Sequence, residues 1–271
     1  MEQRTGRYDW DLGVEVSRFE GLEQAFPSHF HTDYLLGLME GGRRTLTLGN
    51  RTLVTGPGDL FLLNPGDCHG CTPLNGEPLS YRGMTVPVGV MAEAAEQVTG
   101  RRQAVRFPEP VRRDPVLAET FRQAHQSVLE GGPRLEREER FLFLMVQLLP
   151  HSAEGPPPEA PEPEGLRAAC ALLEREYAQP LSLERLAAAA GMSKYAFLRA
   201  FTRYRGITPY RCLETIRVNR ARDLLRQGAD LSSAALETGF ADQSHFTNSF
   251  RDRVGLTPGR YRALFQGEET P

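Results

Sequence analysis

Two stretches of the chain repeat one pattern: GMSKYAFLRAFTRYRGITP at 191–209 and GFADQSHFTNSFRDRVGLTP at 239–258. Aligned, Phe197 and Phe201 fall on Phe246 and Phe250, Gly206 on Gly255, and Thr208-Pro209 on Thr257-Pro258, with one extra residue in the second copy's turn. A small-residue helix precedes each copy, at 183–190 and 232–238, and a glycine turn joins the two parts, so each copy reads as a helix-turn-helix. The paired phenylalanines stand at i and i+4, one helix face, where both can bury against the preceding helix. The opposite face of the first copy carries Tyr195, Leu198, Arg199 and Thr202, edged by Lys194 and Arg203; that of the second carries Ser244, His245, Asn248 and Arg251. Arginine can grip guanine O6 and N7, asparagine pairs with adenine, and tyrosine or leucine can touch a thymine methyl. Both faces therefore offer base-reading chemistry.

Between the copies, Thr208 and Pro209 open a continuous helix running to about Arg226, roughly 18 residues or 27 Å long. Such a spacer would set the two reading helices into successive major grooves, whose helical repeat is about 34 Å. Arg211, Arg217, Arg220 and Arg222 on it reach phosphates or brace the two subdomains. With these residues in view, 166–265 resembles the DNA-binding domain of the AraC/XylS family of bacterial transcription regulators, most specifically over GFADQSHFTNSFRDRVGLTPGRYR at 239–262. The resemblance implies seven helices, the third and sixth reading DNA. Base-facing roles carry over to Tyr195, Leu198 and Arg199 and to Ser244, His245 and Asn248. Leu198 stands where many relatives have a polar residue, which leaves Arg199 most of the readout in the first groove.

The charge distribution agrees with a polyanion partner for this end. Residues 166–271 carry 16 Arg and Lys against 11 Asp and Glu, a net of +5, whereas 1–165 carry 16 against 24, a net of −8. The stretch 150–165, PHSAEGPPPEAPEPEG, has six prolines and no aliphatic residue larger than alanine, and reads as a semi-extended linker. The expected organisation is a sensing domain at 1–149, a linker at 150–165, the DNA-binding domain at 166–265 and a tail at 266–271. At 271 residues two domains are the ordinary expectation. Apolar runs are far shorter than the roughly 18 residues a membrane span needs, and the N-terminus has no signal-peptide pattern, so a cytoplasmic protein is expected. Four cysteines do not make a disulfide scaffold.

The first half reads as strands up to about Pro87. Arg44 to Leu48 alternates, Gly49-Asn50 signals a hairpin, and the turns at 56–59 and 64–67 bracket the apolar run 60–63. Helices follow at 88–98, from Asp114-Pro115 onward, and at 135–149. The segment from His29-Phe30-His31 through Pro57-Gly58-Asp59-Leu60 and Asn64-Pro65-Gly66 to His69 resembles the cupin-like ligand-binding domain of the same family. The expected fold is thus α+β: an N-terminal cupin-like β-barrel with flanking helices, then an all-α double helix-turn-helix.

In cupin enzymes an HxH pair and a later histidine hold a metal. Here strand periodicity puts His29 with His31, and His69 with Cys71, on common faces, so all four could hold Zn²⁺ or another divalent ion. The cupin glutamate is absent; Asp33 is the nearest acid. The alternative occupant is a small polar or anionic effector among His29, His31, Tyr34 and His69. Cys68 and Cys71 form a C-x-x-C, which reads as a redox pair, half a zinc site, or two cysteines filling a barrel mouth. Leu117, Phe121, Leu142, Met145 and Leu149 stripe the helices at 114–149, which the resemblance makes a homodimer interface. The leading function is a ligand-responsive transcription regulator, not an enzyme, with promoter DNA, an effector and RNA polymerase as partners. The rivals are a cupin metalloenzyme with an accessory DNA-binding domain, and an architectural DNA-binding protein without an effector.

Overall fold

The computed structural model describes residues 2–49, 51–154 and 163–266. Asn50 of the expected hairpin turn, 155–162 of the expected linker and 267–271 of the expected tail lie outside the described residues.

The turn signals divide the first half into nine strands: β1 (Gln3–Asp9), β2 (Val14–Leu22), β3 (Phe26–His29), β4 (Tyr34–Gly41), β5 (Arg44–Leu48), β6 (Arg51–Thr55), β7 (Leu60–Leu63), β8 (His69–Pro73) and β9 (Leu79–Val86). Then come α1 (Val88–Thr99), β10 (Val105–Arg106), β11 (Val111–Arg112), α2 (Pro115–Glu130), α3 (Arg134–Leu148) and β12 (Ala153–Glu154). Helix α2 starts where Asp114 accepts the Val116 and Leu117 N–H groups and Pro115 needs no partner, and it stops at Gly131 in the left-handed region.

The strands form a six-stranded sheet, β1-β2-β9-β4-β7-β11, and a four-stranded sheet, β3-β8-β5-β6, while β10 pairs β12. The expected cupin-like architecture is present, but among the described residues the ladders do not join into a closed ring. Among the described residues no strand of the small sheet pairs with the large one, and β3 is instead covered by helices of the C-terminal half. The large sheet has two working faces. Leu36, Leu38, Leu60, Leu62 and Met84 pack on Phe121, Leu144 and Met145 of α2 and α3, whereas Phe19, Met39 and Phe61 belong to a second core shared with the other half of the chain. The ends of the expected linker belong to the flanking units: a 3-10 turn and β12 on one side, α4 from Glu164 on the other.

The C-terminal half comprises α4 (Glu164–Arg175), α5 (Leu183–Ala189), α6 (Lys194–Arg205), α7 (Pro209–Arg226), α8 (Leu231–Glu237), α9 (Gln243–Val254) and α10 (Pro258–Ala263). Ser193 caps α6 by accepting from Ala196 N–H, and Asp242 caps α9 by accepting from His245 N–H. Gly206 (φ 71°) and Gly255 (φ 80°) end these two helices in the left-handed conformation that a Cβ resists. The first helix-turn-helix closes its own core, Phe197 and Phe201 packing with Leu166, Leu173, Leu186, Leu213 and Ile216. The second does not: Phe246, Phe250, Leu225 and Tyr261 share one cluster with Phe19, Leu22, Met39, Phe61 and Leu79 of the β-sheets. Among the described residues no helix is long and apolar enough to cross a membrane.

Candidate functional site

Lys194, Tyr195, Leu198, Arg199 and Arg203 are exposed along one side of α6, with the Arg199 guanidinium 5.5 Å from the Tyr195 ring centre. On α9, Ser244, Asn248 and Arg251 are exposed. His245 is half-buried: its Nε2–H donates to Glu214 Oε1 of α7 at 3.2 Å, and its ring meets Phe240 edge-on. The arginines of α7 have separate fates. Arg211 is exposed; Arg220 is exposed and stacks on Tyr177; Arg217 donates to the Tyr177 and Gln179 carbonyls at 2.7 and 3.2 Å; Arg222 is buried.

The three histidines converge. Register pairs His29 of β3 with His69 of β8, and His31 follows just beyond the end of β3, its carbonyl accepting from Gly66 N–H. Their ring centres lie 4.6 to 5.1 Å apart, and one nitrogen of each lies within 4.8 Å of the others. His29 Nδ1 and His69 Nδ1 each face a backbone carbonyl, of Pro27 at 2.6 Å and Asp67 at 3.1 Å. A carbonyl only accepts, so those nitrogens carry the proton and each Nε2 keeps its lone pair. His31 Nε2 is buried with no hydrogen-bond partner. Burial holds all three imidazoles below the ordinary histidine range, His29 and His31 well below it, so each is a neutral ligand at neutral pH. The donor set suits a divalent transition metal with open positions, and the backbone carbonyls supply the orienting contacts that such ligands need.

Three expectations are corrected here. Cys71 is not part of the cluster: it sits two residues, roughly 6.6 Å, farther along β8, opposite Phe26 and Leu46. Tyr34 does not reach the site, because pleat parity aims Leu35 and Met39 at the cavity and sends Tyr34 with Leu36 into the helix-side core, where its hydroxyl donates to the Val105 carbonyl. Cys68 and Cys71 do not face one another as a redox pair would: with only His69 and Gly70 between them, Cys71 lines the cavity while Cys68 packs on the first helix-turn-helix. Burial raises both thiols to about 11, far from the thiolate that exchange requires.

The histidines open onto a cavity of about 100 Å³ between the sheets, walled by Phe19, Phe26, Leu46, Phe61 and Tyr81. Sequence reasoning missed what closes it: Arg222 of α7 and Arg253 and Val254 of α9 complete the wall. Glu15, buried on β2 between Val14 and Val16, fastens that lid. Its Oε2 accepts from Arg222 at 3.2 Å, Arg226 at 3.1 Å and the Tyr261 hydroxyl at 2.9 Å. Burial pushes the Glu15 carboxyl up, but the two guanidiniums and the hydroxyl more than offset this and hold it below the ordinary range. Asn219 donates to the Phe30 carbonyl at 3.4 Å, Gln24 to the Arg251 carbonyl at 3.1 Å, and Arg4 to the Gly255 carbonyl. The one available clue to Glu15 is an acid set between two valines; Glu214 and Arg253 give no comparable sign.

Residues 11–145 match the model of the AraC-like ligand binding domain, and 186–264 match a helix-turn-helix domain. An uncharacterized HTH-type transcriptional regulator of Bacillus subtilis, YbfI, is 39% identical over 246 residues, covering 90% of each chain. The chain belongs to the AraC family of transcription regulators. Among other relatives of this AraC-family chain, the transcriptional activator RhaS of Escherichia fergusonii is 27% identical over 259 residues, 90% of this chain and 89% of that one. A crystal structure of a lysine-to-alanine variant of apo ToxT from Vibrio cholerae superimposes with a TM-score of 0.57 over 96% of this chain and 99% of that one, at 13% identity, a likeness of fold. The AraC-family assignment makes the chain a regulator rather than the cupin enzyme of the rival reading.

Proposed function

We propose that this regulator reads double-stranded promoter DNA through the exposed faces of α6 and α9 and that a metal ion or small molecule in the sheet cavity modulates the reading. One observation carries the proposal: the cavity wall is shared, with His29, His31 and His69 from the sensing half and Arg222 and Arg253 from the DNA-binding half. Whatever fills the cavity touches both. Tyr195, Leu198, Arg199, Ser244, His245 and Asn248 meet base edges, with Lys194, Arg203 and Arg251 flanking them on phosphates. The three histidines hold the metal, which would bring positive charge and open coordination positions to a site already lined by two guanidiniums. The apolar rings of Phe19, Phe26 and Phe61 favour a second reading, an organic effector with one polar end among the histidines.

Two copies pair through α3. Leu117, Phe121, Met145 and Leu149 of the expected stripe pack into the chain's own core, but Leu142, Phe143 and Val146 stand 38%, 56% and 45% exposed on one helix face, with Leu135 at 75%. That outward row is the dimer surface proposed here. RNA polymerase is the further partner, and the cytoplasm the place of action.

The test begins with metal content of the purified full chain, then melting with and without zinc, nickel, manganese or iron. A bound metal stabilises the fold by about 2.7 kcal/mol at a hundredfold excess over Kd, and His31→Ala should remove that gain. Absence of both stoichiometric metal and any melting shift would sink the metal reading, and a screen of small polar and anionic compounds would then decide the organic one.

A further inference from the structure

We propose that Glu214 is a positioning residue for sequence recognition, holding His245 of the second reading helix, and that Arg253 joins Glu214 to the cavity. The inference rests on His245 facing DNA, and it extends that reading to the regulation of one half-site. Glu214 lies on α7, outside both reading helices, and one carboxylate gathers three partners from α9: His245 Nε2 at 3.2 Å, Ser249 Oγ at 3.2 Å and Arg253 Nη2 at 2.8 Å. Arg253 is buried, donates its Nη1 to the Ser249 carbonyl at 3.0 Å, and lines the cavity; its Nε is buried without a hydrogen-bond partner. It is close enough to the histidines that its charge opposes protonation of His29.

The consequence follows from counting acceptors. An imidazole that donates to Glu214 is held in one orientation and presents its ring to DNA from a fixed angle. A group in the cavity that accepts from Arg253, or a cation that repels it, changes how well Arg253 neutralises Glu214. The carboxylate then tightens or loosens on His245, the only other ionisable partner it has on α9 among the described residues. Among the described residues none of α6 lines the cavity. Arg199 leans on Tyr195 of its own helix, and Tyr204 and Arg205, which border a separate cleft beside Cys68 and Phe107, stand at its far end. Cavity occupancy is therefore reported at the half-site read by α9.

The experiment is selection of binding sites from randomised duplexes by the full-length protein at one salt concentration. It compares the natural sequence with Glu214→Gln, Arg253→Met, their double variant, and each in a His245→Ala background. Either single substitution should change base preference at the α9 half-site about fivefold to tenfold, with the double variant no larger than the singles and the α6 half-site unmoved. In the His245→Ala background neither should add anything. Equal shifts at both half-sites, no shift, or an undiminished shift without His245 overturns the proposal. If Arg253→Met melts early, Arg253→Lys, which keeps the charge but not the fork, replaces it and should give a smaller shift of the same kind. Zinc alone serves as the probe of the cavity side: it should move preference at the α9 half-site of the natural protein, and Glu214→Gln should still take up zinc without that shift. A zinc-induced shift that survives Glu214→Gln also overturns the relay. Failure of the natural protein to bind zinc removes the metal reading alone, because the metal-free variants still decide the relay.

Discussion

The two helix-turn-helix units share a frame and differ in what stands behind it. The first buries Phe197 and Phe201 in a core built mainly from its own helices, and its reading face is aromatic and basic. The second buries Phe246 and Phe250 in a core continuous with the β-sheets, and its reading face is small and polar. A duplicated motif has thus been divided by its packing. One copy is a largely self-contained helical unit, and the other is packed as part of the ligand-binding half.

The sharpest way to break this contrast is to empty the two cores in turn. Phe197→Ala and Phe246→Ala should each cost about 3 to 5 kcal/mol locally. Only the second should loosen the sensing half, seen as faster proteolysis or hydrogen exchange in β2 and β9. Equal loosening by both would erase the distinction. Next in size is the clasp. Glu15→Ala leaves Arg222 buried without its carboxylate, a loss on the order of 3 to 5 kcal/mol, and leaves Arg226 to Asp33 and Asp223; it should separate the second unit from the sheets by small-angle scattering while sparing the first.

Acidification probes the same boundary. His29, His31, His69 and His125 all have folded pKa values below the unfolded value near 6.5, through burial first, with His125 at about 4. The unfolded chain therefore binds protons first. Stability is full above about pH 6.5 and is lost as pH falls below it, by about 1 kcal/mol per histidine per pH unit until the folded value is reached. Melting temperature should decline between pH 7 and 5, and should do so less in His125→Gln. A flat profile would mean that these imidazoles are accessible. Glu15 adds a loss only at still lower pH, because its folded pKa lies below the ordinary carboxylate value.

Smaller effects belong to DNA. Arg199→Ala should cost about 1 to 3 kcal/mol at the preferred base of the α6 half-site and nothing at the other, while Asn248→Ala should do the reverse. Smallest of all, Arg211→Ala should lower the salt slope of binding by about one, whereas Arg217→Ala should leave the slope unchanged because its guanidinium is held by the Tyr177 and Gln179 carbonyls. A reduced slope for Arg217→Ala would return it to the phosphate contacts.

What the sequence disclosed follows from the range of the interactions involved. The helix-turn-helix repeat is local: caps, i and i+4 phenylalanines and a glycine turn all lie within about 20 residues, so α5, α6, α8 and α9 could be placed from pattern. The histidine triad was legible because its spacing happens to survive pairing of β3 with β8. Tyr34 was misplaced by one step of the pleat, and Cys71 by one pleat repeat along β8, errors that nearness in sequence cannot detect. The cupin-like fold was legible, but its open edge was not, for a longer-range reason: the edge at β3 is covered by α7 and α9, about 190 to 220 residues away. Glu15, Glu214 and Arg253 went unseen because their meaning lies in partners on other elements.

The glycines that end α6 and α9 carry a last consequence. Both hold positive φ, and both back onto the sensing half: Gly206 faces the backbone at Gly49 and the Cys68 side chain, while a Cβ on Gly255 would come within 2.6 Å of the Phe19 ring. In evolutionary terms the two copies can drift freely on the exposed faces proposed above to meet DNA. At the rear corner of the second, every single-base change that replaces glycine meets two independent penalties, one conformational and one steric. Lineages that alter their DNA targets should vary the faces of α6 and α9 long before they vary Gly255, and a change there should come with a smaller residue in place of Phe19.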